Sequence, residues 1–160
     1  MTKRRSRLSL TVQYAASGDD LPARGLLRRW ARAALACNAS VTLRFVDHAE
    51  ARALNRSFRR SDHPTNVLAF VYHDVHGAHG VVGDLVLCAP VMRREAAEQG
   101  KSLAAHCAHL VVHGLLHLQG YDHEHAPEAA RMEAREVAIL AGLRFPDPYR
   151  TPARARRRTP

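Results

Sequence analysis

Apolar and polar side chains alternate through residues 8–14 (LSLTVQY) and again through 40–46 (SVTLRFV), the two-residue period of a strand with one face toward water. Between them the period becomes helical. From Asp20, a candidate cap, with Pro22 near the first turn, Leu26, Leu27, Trp30, Ala33, Ala34 and Cys37 recur at helical spacing and predict an amphipathic helix over 20–37. Its polar face carries Arg24, Arg28 and Arg32 at steps of four with Arg29 alongside, a basic ridge that a solvated helix face explains better than an RNA contact. Asp47 can cap a short helix that runs through Phe58. The polar run 59–66, broken by Pro64, reads as a loop leading into strands over 67–73 and 81–88, which a Gly- and His-rich turn separates. From Pro90 the pattern is helical to about Gln99, breaks at Gly100, resumes from Ser102 to Gln119 and returns after Pro127 through Leu140. Strands with intervening helices followed by a helical block predict an α+β fold, a single domain with a mixed four-stranded sheet packed with helices.

A chain of 160 residues is long enough for one core and too short for two of ordinary size. The opening MTKRRSRLSLTVQY starts like a signal peptide, but Ser9, Thr11 and Gln13 interrupt the apolar stretch that export needs. No later segment approaches the roughly 18 consecutive apolar residues of a membrane span. A cytoplasmic protein without a membrane partner is the expectation. Cys37, Cys88 and Cys107 are odd in number, widely spaced and set among apolar neighbours, which predicts buried thiols and no disulfide framework.

The net charge of +9 changes meaning once its placement is considered. Lys3, Arg4, Arg5 and Arg7 lie in residues 1–7, and Arg150, Arg154, Arg156, Arg157 and Arg158 in residues 150–160, with no acid in either segment. The remaining body holds 15 basic and 15 acidic groups. Attraction to an RNA backbone would therefore come mainly from a basic N-terminal arm, 1–7, and a basic C-terminal tail, 150–160, flanking a domain over 8–149, plus any local patch on the body, and such tails serve solubility equally well.

Most of the chemical information sits in HGLLHLQGYDH, which begins at His113. His113 and His117, four apart, project from one face of a helix at a separation that lets them share an ion. Gly120 can adopt the left-handed conformation that ends a helix in a sharp turn, and the turn returns His123 toward the pair. Three imidazoles holding one zinc ion leave a fourth tetrahedral position open, the arrangement of a catalytic site. His109 extends the same face by a turn, but positions eight apart on a straight helix are about 12 Å apart, too far to share the ion with His117, so a supporting or substrate-binding role suits it better. Asp122 and His125 are lesser ligand candidates, Tyr121 and Asp122 could support the ligands, and Asp84 on its strand is more readily a sheet-edge charge than a site residue. The spacing HxxxHxxGxxH also occurs in one superfamily of zinc proteases, where a glutamate base follows the first histidine. Here that residue is Gly114, which counts against proteolysis.

The run from His113 to His123 resembles the signature of the YbeY family of bacterial endoribonucleases and rRNA maturation factors. LNRSFRRSDHPTNVLAF, from Leu54, resembles that family's arginine followed by a DxPTNVL loop and a strand, and GDLVLC from Gly83 resembles its GDI-type strand. Together these segments extend the similarity over about residues 40–142. Phe58 stands where the family commonly has Tyr, and Ala69 where it commonly has Ser. The resemblance implies a metal-dependent, single-strand-acting endoribonuclease in small-subunit rRNA processing and ribosome quality control. It implies one zinc ion on His113, His117 and His123, and Arg59 as the functional arginine, whose guanidinium can grip two phosphoryl oxygens. Its expected partners are rRNA precursor and the small ribosomal subunit, with ribosomal proteins or a ribosome-associated GTPase. Two rival readings keep the same fold, a zinc hydrolase of another substrate class and a non-catalytic zinc-containing ribosome-assembly factor.

Overall fold

The computed structural model describes residues 6–59, 66–72, 80–121 and 124–150. Its elements in chain order are β1 (Leu8–Tyr14), α1 (Arg24–Ala34), β2 (Ala39–Val46), α2 (His48–Arg59), β3 (Val67–Val71), β4 (Val81–Cys88), α3 (Ala89–Glu98), α4 (Leu103–Leu118) and α5 (Ala126–Gly142). The four strands lie in the order β1-β2-β4-β3, with β1, β2 and β4 parallel and β3 antiparallel to β4. The expected mixed sheet packed with helices is what forms.

Local chemistry explains where the elements begin and end. Asp47 Oδ1 accepts from the Glu50 amide at 2.9 Å and caps α2, and Ser102 Oγ accepts from the Ala105 amide at 3.1 Å and caps α4. Asp20 does not cap α1, which starts four residues later than expected. Both of its carboxylate oxygens accept from Arg93 of α3, each at 2.8 Å, so the side chain ties the loop before α1 to α3 instead. The ridge on α1 is also not simply solvated: the Arg24 and Arg28 guanidinium groups donate to the carbonyls of Val12 and Leu8 at 3.2 and 3.0 Å. These carbonyls belong to edge strand β1, whose outer side would otherwise offer unpaired backbone groups to another chain.

Val41, Leu43, Phe45, Leu85 and Leu87 form the larger buried sheet face, under Leu27 and Trp30 of α1, Val111, Leu115 and Leu118 of α4, and Met132, Ile139 and Leu140 of α5. A smaller cluster on Val46, Leu68, Val86 and Cys88 is covered by Ala51 of α2 and Val91 of α3. Cys88 and Cys107 are buried as expected, and burial pushes the Cys107 thiol up to about 12, while Cys37 is only half-buried. Among the described residues no helix is long and apolar enough to cross a membrane.

The helix ends that frame the site are stitched together by Gln119. Its Oε1 accepts from the Ala36 amide at 2.9 Å, and its Nε2 donates to the carbonyls of Ala34 and Leu115 at 2.8 and 3.1 Å. Those are backbone groups at the ends of α1 and α4, where a helix runs out of internal partners. Gln119→Leu removes these bonds and is expected to cost about 0.5 to 1.5 kcal/mol, read from urea unfolding followed by Trp30 fluorescence; an unchanged midpoint would refute the stitch.

Candidate metal centre

Helix α4 crosses the core with nearly every face covered. From His106 to Leu118 each residue is buried except His109, His113 and His117, which recur every four positions along one half-buried line. Burial dictates this. Cys107, Ala108, Leu110, Val111, Val112, Leu115, Leu116 and Leu118 fill the space between the sheet, α1 and α5, so the helix reaches a cleft only along the remaining line. Gly114 lies on the covered side, where a Cβ would meet Leu85 Cδ2 of β4 at 2.7 Å. A side chain there would require Leu85 or the helix to shift, because the helix rests directly on the sheet.

At the end of α4 the chain turns as the sequence suggested. Gly120 has φ +99°, its amide donates to the His117 carbonyl at 3.0 Å, and the Tyr121 amide donates to the Leu116 carbonyl at 3.1 Å. This paired closure around a left-handed glycine is a Schellman motif. His123 and Asp122 follow it and lie outside the described residues. So does the side chain of Arg59, the last residue of α2.

The group that sequence reasoning missed is Glu136. It sits on α5 with no exposed surface, on the buried face shared with Met132, Ile139 and Leu140. Its Oε2 lies 2.7 Å from His109 Nε2 and 3.2 Å from His113 Nδ1, and its Oε1 accepts from the Tyr149 hydroxyl at 2.8 Å. Burial by itself would raise the carboxyl's pKa. Hydrogen bonds from His109, His113 and Tyr149 outweigh it and hold the group down at about 2. The same contact, after burial of the phenol, drives Tyr149 upward.

A carboxylate can only accept, so both ring nitrogens that face it must donate. His109 carries its proton on Nε2, and His113 carries one on Nδ1, which directs the Nε2 lone pair of neutral His113 away from Glu136. A metal-ligating imidazole is oriented in this way by a carboxylate behind it. His109, His113 and Glu136 also bring one ligand atom each within 4.8 Å of one another, close enough to hold an ion themselves. A signal for Glu136 existed in the sequence: an acidic residue at helical spacing with Met132, Ile139 and Leu140 breaks the apolar face of α5, and a buried acid needs partners.

Other sequence candidates lie elsewhere. Asp84 on β4 accepts a hydrogen bond from the Tyr72 hydroxyl across the sheet edge, which raises the phenol's pKa. His125 is exposed and precedes the first turn of α5. Tyr121 is half-buried against the core.

The depressed carboxyl makes a pH prediction. Because the pKa of Glu136 is lowered in the folded state, it stabilises the fold above the usual value of 4.5, and that contribution is lost as pH falls toward about 2. The loss is on the order of 3 kcal/mol for a shift of this size. Urea midpoints of the metal-free protein across this window should fall steeply for the parent and much less for Glu136→Gln; parallel profiles would show that the carboxylate is not held by its three donors.

Comparison with known proteins follows the same residues. The family model described as Endoribonuclease YbeY matches residues 23–144. The chain is 52% identical over 156 residues to the Endoribonuclease YbeY of Nitrosospira multiformis, covering 90% of this chain and 82% of that one. It is 54% identical over 142 residues to the Endoribonuclease YbeY of Thiobacillus denitrificans, covering 89% of this chain and 96% of that one. Among solved structures, the solution structure of TM1509 from Thermotoga maritima shares the fold at TM-score 0.53 and 22% identity, over 88% of this chain and 99% of that one.

Proposed function

The chain belongs to the YbeY endoribonuclease family, and from that premise we propose that it is a zinc-dependent endoribonuclease acting on single-stranded RNA in small-subunit rRNA maturation and ribosome quality control. The observation that carries the reading is the line of α4, where the accessible residues from 106 to 118 are all histidine. In this reading residues 8–149 are the hydrolase domain and the arms 1–7 and 150–160 add electrostatic attraction to RNA. The substrate is rRNA precursor in the cytoplasm, with ribosomal proteins or a ribosome-associated GTPase as protein partners.

His113, His117 and His123 would hold the ion, and Glu136 would orient His113 from behind. Spacing supports this assignment over an ion on His109, His113 and Glu136. Two ligands of one tetrahedral zinc stand about 3.3 Å apart when each bond is about 2.0 to 2.1 Å, whereas His109 Nε2 and Glu136 Oε2 are at a hydrogen-bonding 2.7 Å. When bound, zinc supplies a Lewis acid that acidifies water and draws charge from phosphoryl oxygens. In this reading Arg59 would pair with the phosphoryl oxygens as charge builds on them, and Glu136, itself held by Tyr149, would keep the His113 ring oriented. The residue after His113 is Gly114, which faces Leu85 and supplies no carboxylate base.

His113→Ala is expected to lose both zinc, by elemental analysis, and RNA cleavage; full occupancy would refute the ligand set. Arg59→Glu should abolish cleavage with zinc content intact, and cleavage at the parental rate would remove Arg59 from the mechanism. His117→Ala and Glu136→Gln separate the two ways of holding the ion. The first should abolish binding and the second weaken it about 10- to 100-fold, whereas an ion on His109, His113 and Glu136 would survive His117→Ala.

A further inference from the structure

A groove of about 550 Å³ opens beside the histidine line, among Asn66, Gln99, Lys101, His109, Tyr149 and Arg150. We propose that it is a nucleobase subsite, which takes one unpaired base of the RNA strand next to the bond that is cut and stacks it on Tyr149. The inference rests on the endoribonuclease reading and adds to it where the strand lies.

Position comes first. His109 and Tyr149 form one wall of the groove and both bond to Glu136, which bonds in turn to His113. An occupant of the groove is therefore separated from the candidate metal ligand by that one layer of side chains. Its volume falls within the roughly 300 to 1,000 Å³ of pockets that enclose drug-sized ligands, the size class of a nucleoside monophosphate.

The wall chemistry suits a base better than a phosphate alone. Tyr149 is 49% exposed, as is Tyr72, yet its ring is held firmly. Its hydroxyl is anchored on Glu136, its ring packs edge-on against His109 at a centroid distance of 5.4 Å, and its amide donates to Asp147 Oδ1 at 2.8 Å. Just before it, the Pro148 carbonyl accepts from Lys101 Nζ at 2.8 Å. A fixed aromatic ring loses little entropy when a base stacks on it. The exposed amide of Gln99 can meet a base edge, and Arg150 at the rim can meet the adjoining phosphate. The acid within the groove, Glu95, is already occupied by His106 Nε2 at 3.0 Å and Asn66 Nδ2 at 3.2 Å, which reduces its repulsion of the strand.

A base inside a duplex keeps its faces stacked and its edge paired, so only single-stranded RNA can use such a groove. The test uses the full-length protein with EDTA, so that binding is read without cleavage, and a fluorescein-labelled single-stranded RNA followed by anisotropy. Tyr149→Leu should weaken binding about tenfold, Tyr149→Phe, which keeps the stacking ring but loses its anchor on Glu136, clearly less than that, and Gln99→Ala a few-fold. Binding of an RNA duplex should not change in any variant. Tyr149→Trp supplies a direct signal, because base stacking should quench its added fluorescence as adenosine 5′-monophosphate is titrated, while Trp30 is buried. Equal affinity of Tyr149→Leu and parent for single-stranded RNA, in a variant whose circular dichroism is unchanged, would overturn the subsite. If that happens while the metal-replete parent still cleaves RNA, the subsite alone is wrong; a parent that neither binds nor cleaves RNA overturns both readings.

Discussion

A full negative charge with no exposed surface is costly to keep, and Glu136 keeps one because three donors converge on it. Those donors come from α4 and from the segment after α5, so the charge binds together parts of the chain that hydrophobic packing alone would let slide. Removing any partner leaves a buried anion short of a hydrogen bond. The geometry around His109 and His113 is fixed by that demand. A half-buried imidazole facing solvent would otherwise be free to choose either tautomer and several orientations.

Packing supplies the complementary constraint. Helix α4 fills the space under the sheet so completely that chemistry can emerge only along one line, and that line is histidine at every accessible position from His106 to Leu118. The Lys101–Pro148 and Tyr149–Glu136 contacts lay the segment after α5 beside that line.

Much of this was legible in the sequence. Two-residue alternation located β1 and β2 almost to the residue, turn signals bracketed β4, and Gly100 and Gly120 marked helix ends because glycine adopts a positive φ cheaply. Helix rise set His109 apart from His117 in the sequence, and the structure joins it to Glu136 at 2.7 Å. What remained hidden depends on contacts between elements distant along the chain. Asp20 looked like a helix cap until Arg93, far along the chain, claimed it, and the basic ridge on α1 looked solvated because no sequence pattern says that β1 is an edge strand. Glu136 escaped notice because helical spacing was read for its apolar members, and the one charged residue on that face was the informative one.

The contact between Gly114 and Leu85 has a further consequence for how hydrolases of this shape diverge. In the protease arrangement with the same histidine spacing, a glutamate follows the first ligand, yet here that position presses on the apolar underside of the strand layer. A glutamate introduced there would have to displace Leu85 or the helix and place its charge against the buried Leu85 side chain, away from the accessible histidine line. Converting this scaffold to peptide hydrolysis would mean rebuilding the interface between its central helix and its sheet, so a steric barrier, wider than one codon, separates the two chemistries.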